Sequence, residues 1–144
     1  MNALLQLAVT ITALFFLDAV WLNFICDDMA VWPVIYRYGN QPNWYLAQCY
    51  YVLMATWVMF RFALPAIRDR DLAPALIGGA GLGFRISVLY AAVNQVFYTP
   101  WPLWLILYDI AWNTFAFAAV AVISSYFGHW LEINYPESRK VQRT

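Results

Sequence analysis

Charge is what this sequence has least of. Only 11% of its 144 residues are Asp, Glu, Lys or Arg, against a hydrophobic share of 64% and a mean hydropathy of +0.59. Soluble domains carry roughly a quarter of their residues charged, so that class is excluded. No excess of basic charge exists either, since eight Lys and Arg balance eight Asp and Glu. The electrostatic footprint of a nucleic-acid binder is therefore missing. The two cysteines, Cys26 and Cys49, are too few for a disulfide framework or a zinc site. Both fall near one membrane face, so a single bridge stays open beside the simpler reading of two buried thiols. The one histidine, His129, reads as an interfacial residue rather than an axial ligand to a haem or pigment. No nucleophile–base pair stands out, and no cofactor is implied.

Long apolar runs are what the chain has in quantity. A spanning helix needs about 20 mostly apolar residues, and four stretches qualify, at about 3–25, 43–67, 73–98 and 102–128. The sequence thus predicts one transmembrane domain over residues 1–144, an all-α antiparallel four-helix bundle with a polar tail over 132–144. The first run lacks a positive flank and is long enough to span, so it reads as a membrane helix rather than a signal peptide. Between helices one and two, Trp32, Tyr36 and Tyr38 suit a short interfacial segment. Helices two and three meet at Arg68-Asp69-Arg70-Asp71, and helices three and four at Thr99-Pro100-Trp101-Pro102. Arg68, Arg70, Arg139, Lys140 and Arg143 fall on one side and Arg37 alone on the other. Positive residues are retained in the cytoplasm, so both termini are expected inside.

Gly78, Gly79, Gly81 and Gly83 look superficially like a nucleotide loop, but no Lys-Ser/Thr follows and no strand precedes. Gly79 and Gly83 form a GxxxG pair, the pattern of close helix–helix approach within the bundle or to a partner. Helix two and this glycine face read as packing surfaces.

Four ionisable residues fall inside the spans: Asp18, Arg61, Arg85 and Asp109. Each costs about 2.5–3.5 kcal/mol near mid-helix, so pairing is expected. Asp18 and Asp109 lie at similar depth in the outer half, on helices running in opposite directions. Arg85 sits near the midplane and reaches ~6 Å toward either, while Arg61 snorkels inward. Trp21 and Trp112 each follow an Asp at i+3, where an indole N–H can bond the carboxylate or shield it from lipid. Asn113 follows Asp109 at i+4 on the same stripe, and Tyr90 and Asn94 bring polar groups from helix three. The expected intramembrane cluster is therefore Asp18, Trp21, Arg85, Tyr90, Asn94, Asp109, Trp112 and Asn113. It serves either as an internal charge network that fixes packing or as a polar pocket for a head group, ion or proton.

At these motifs the chain resembles DUF2177, a family of small bacterial membrane proteins with four predicted helices and no established function. The likeness is carried by Asp18-Ala-Val-Trp21-Leu22, by Tyr90 and Asn94, by Trp101-Pro102-Leu103 and by Asp109-Ile-Ala-Trp112. The chain departs from that pattern at Ala91, where the family tends to carry an acidic residue after the tyrosine, and at Arg85. The resemblance implies the four-helix fold and a bacterial inner-membrane setting, and supplies no reaction. Three functions fit these residues. The first is a non-enzymatic accessory subunit, or lipid- or quinone-binding component, of a larger respiratory or photosynthetic membrane assembly. Its partners would be membrane lipids and other membrane subunits, with no nucleic acid. The second is an enzyme acting on a lipid or isoprenoid with an intramembrane Asp as general acid. The third is a small proton-coupled transporter.

Overall fold

A computed structural model describes residues 2–25, 44–97 and 102–135. Among these residues four helices are long and apolar enough to cross a membrane: α1 (Ala3–Asn23), α2 (Tyr45–Asp69), α3 (Ala73–Val96) and α4 (Leu103–Asn134). The first interhelical connection, with Cys26 and the expected interfacial segment, lies outside the described residues, as does the tail beyond Tyr135. Cys49 is exposed on α2.

The helices form one bundle with α4 at its centre. Leu14 of α1, Val58 and Ala66 of α2, Ala75 and Leu82 of α3, and Phe117, Val120 and Ala121 of α4 make the core. Lipid supplies no hydrophobic drive between helices, so close packing must hold them together. Small residues provide it. A Cβ on Gly79 would lie 2.5 Å from the Phe117 carbonyl oxygen, and one on Gly83 would collide with that of Asn113. The glycine pair is thus the seam along which α3 meets α4. Outside this core, large apolar side chains such as Phe16, Leu46, Leu89 and Leu107 face outward, the belt a bilayer would cover.

Local chemistry sets the irregularities. Pro65 has no N–H and its ring crowds the preceding turn. α2 absorbs it with a π-helical turn over Met59–Ala63, where the Leu64 N–H reaches back to the Met59 carbonyl. α1 likewise ends in a π turn, Trp21–Ile25. Between α2 and α3, Arg70 adopts φ 54°, the left-handed cap that ends a helix, and the Asp71 N–H donates to the Ala66 carbonyl at 3.1 Å. Asp71 Oδ1 then accepts the Ala73 N–H at 2.9 Å and opens α3. α4 runs past the expected residue 128 and stops at Asn134, with the Tyr135 N–H bonded to the Leu131 carbonyl at 2.9 Å. Tyr135 precedes Pro136 in sequence, a position that disfavours helix. At about 1.5 Å per residue these 32 residues exceed the ~30 Å hydrocarbon core, so the last turns extend beyond it.

Candidate functional site

Near the end of the bundle where α1 finishes and α4 begins, the four helices enclose a partly open cavity of about 340 Å³. Helical spacing places its walls. Asp18, Trp21 and Leu22 follow i, i+3, i+4 on α1, and Asp109 and Asn113 follow i, i+4 on α4, so each set shares one face. α3 adds Ile86, Ser87 and Tyr90, and α2 adds Tyr50. Both expected carboxylates therefore meet the same space, within electrostatic reach of one another.

Among the described residues each carboxylate has a side-chain hydrogen-bond partner. Asn113 Nδ2 donates to Asp109 Oδ1 at 3.1 Å and to the Asp109 carbonyl at 2.9 Å. The Tyr51 hydroxyl bonds Asp18, and its ring packs edge-on against Phe15 with centroids 5.7 Å apart. Among the described residues neither carboxylate has an ion-pair partner, and no Lys or Arg lines the cavity.

The two Asp-x-x-Trp segments converge. Trp21 and Trp112 stack with centroids 5.5 Å apart and planes at 22°, tying the end of α1 to α4. The expected indole–carboxylate bond does not form. Trp112 Nε1 is buried without a partner, its ring stacked on Trp21. Asn94 Nδ2 and Ser87 Oγ are buried and unpartnered as well. Of these three, Ser87 lines the cavity and is only 2% exposed.

Arg85 is not brought to this site. It lies on the exposed side of α3, about 200° around the helix from Ser87, and has no ion pair with Asp18 or Asp109. The expected Asp–Arg–Asp network is thus replaced by two acids that α3 meets with Ser87 and Tyr90. Helix two was expected to serve only packing, yet it supplies Tyr50 and Tyr51. Sequence offered little signal for either tyrosine among ten in an aromatic-rich chain. Gln6, Thr10 and Ser124 were missed too, and they form a second polar layer at the other end of the bundle. There Gln6 Nε2 donates to the Ser124 carbonyl at 3.1 Å, and Thr10 Oγ1 lies 2.8 Å from Ser124 Oγ. No group of three or more His, Cys, Asp or Glu suited to a metal occurs among the described residues.

Fold and site together define a multi-pass membrane protein with an acid-lined cavity inside a four-helix bundle. The chain belongs to DUF2177, a family described as predicted membrane proteins, and the match covers residues 3–126. No curated protein and no solved structure matches it.

Proposed function

We propose that this protein is a non-enzymatic ligand-binding component of a larger membrane assembly, holding a lipid or quinone in the cavity between Asp18 and Asp109. One observation carries the reading: two half-buried carboxylates share a cavity with a fully buried serine hydroxyl that has no partner. A structural charge network would be internally neutral and satisfied, because unpaired polar groups are expensive in apolar surroundings. This layer is neither among the described residues. Its volume lies at the small end of ordinary ligand sites, enough for a head group with its tail outside. In this reading both termini face the cytoplasm of a bacterium and the chain sits in the inner membrane. The test is purification in mild detergent, followed by profiling of bound lipid, quinone and protein. A lipid or quinone that leaves in the Asp18→Asn/Asp109→Asn variant supports the reading, and a monodisperse, ligand-free monomer contradicts it.

The shared placement of the two acids favours one second reading, a membrane enzyme that protonates an isoprenoid or lipid from Asp18 or Asp109. It requires a product that disappears from the membrane lipid profile when either Asp becomes Asn. Unchanged lipid composition removes it.

A further inference from the structure

We propose that the group seated between Asp18 and Asp109 is a primary ammonium, the cationic end of an amine-bearing head group. This rests on the ligand-binding reading above and specifies its chemistry.

Three independent features converge on it. The first is charge. Two carboxylates face one cavity in a membrane span and no cation of the described chain answers them, Arg85 being turned away. A buried acid needs an opposite charge or hydrogen-bond donors. Among the described residues a donor side chain meets each, Tyr51 at Asp18 and Asn113 at Asp109. An ammonium brings a positive charge and three further donors.

The second feature is the wall. Trp21, Tyr50 and Tyr90 line the same cavity. Aromatic faces attract cations through their quadrupole, most strongly where water is excluded. They offer nothing comparable to a phosphate, and the two acids repel one.

The third feature is Ser87. The hydroxyl of Ser124 meets Thr10 across the bundle, and several others satisfy themselves on their own helix. Thr12, Thr56, Thr114 and Ser125 each donate to the carbonyl four residues back, at 2.6–2.8 Å. Ser87, only 2% exposed, bonds nothing through its Oγ, yet it borders the cavity. A hydroxyl both donates and accepts, so it can receive an ammonium hydrogen or meet an oxygen of the same head group. A quinone fits less well, since its carbonyls are acceptors facing two acids.

Native mass spectrometry of the full chain in detergent tests this with phosphatidylethanolamine, N-acetyl-phosphatidylethanolamine, phosphatidylglycerol, ubiquinone and free ethanolamine as probes. The expected result is preference for phosphatidylethanolamine over its N-acetyl form by about tenfold or more, the scale of a lost hydrogen bond to a charged group. The same loss is expected on Asp109→Asn, and a smaller one on Ser87→Ala. Free ethanolamine displacing the lipid identifies the amine alone as the ligand, and no displacement identifies the whole head group; both keep the proposal. Equal binding of the N-acetyl form, or preference for phosphatidylglycerol or ubiquinone, overturns the ammonium while leaving a ligand site. Absence of Asp-dependent binding by every probe overturns both. Comparing two lipids on the wild-type protein keeps the test independent of whether any variant folds.

Discussion

Among the described residues the bundle carries two polar layers, one at each end, and they are built on opposite principles. At the end where α1 begins and α4 finishes, Gln6, Thr10 and Ser124 close on one another. Thr10 Oγ1 lies 2.7 Å from the Gln6 carbonyl and 2.8 Å from Ser124 Oγ, and all three residues are almost wholly buried. Gly128 lets Gln6 come close, since a Cβ there would meet the Gln6 amide. This layer is neutral, satisfied and closed. At the other end the polar groups are charged, only partly satisfied, and arranged around open space. Polar groups that hold helices together bond each other, whereas those left facing a void leave room for a ligand. The contrast separates a latch from a binding site within one small bundle.

That contrast can be broken by substitution, with stability and bound-ligand content as separate readouts. The largest loss of stability is expected at the seam both layers depend on. Gly83→Ala forces a Cβ into the α4 backbone and should destabilise by about 1–3 kcal/mol, seen as a lower Tm or loss of monodisperse protein. Gly81 has nothing within 4 Å of its would-be Cβ. Gly81→Ala should therefore leave stability unchanged or raise it by about 0.5–1 kcal/mol, and an equal loss at both positions would refute the seam. Next, Ser124→Ala removes the hydroxyl that meets Thr10 while leaving Gln6 its bond to the residue-124 carbonyl, and should cost about 1 kcal/mol, with ligand content intact. Asp109→Asn keeps an oxygen for Asn113 to donate to and removes an uncompensated acid, so stability is expected to hold or rise, while ligand is lost. Arg85→Gln is expected to alter neither readout. If it empties the cavity, the arginine belongs to the site and the placement of α3 is wrong.

The two layers were also unequally legible in the sequence. Four runs of lipid-compatible length announce four helices whatever their packing, and the π turns and the last turns of α4 are adjustments that hydropathy does not record. Asp18 and Asp109 stood out because a carboxylate in an apolar run is anomalous, and i+3 and i+4 spacing then pointed to Trp21 and Asn113. Arg85 lies at a depth that suits pairing with either acid, yet it faces away from both. Depth says how far along the axis a residue lies, while the angle around α3 decides which neighbour it meets. Gln6, Thr10 and Ser124 left no trace, being uncharged, far apart in sequence and ordinary singly. Tyr50 and Tyr51 were hidden by the number of aromatic residues around them.

The most direct test of the contrast is ligand occupancy measured by native mass spectrometry on three proteins side by side: wild type, Ser124→Ala and Asp18→Asn/Asp109→Asn. A bound small molecule is expected on the first two and none on the third, although Ser124→Ala is the less stable variant. Equal occupancy on all three, or loss from Ser124→Ala alone, would contradict it.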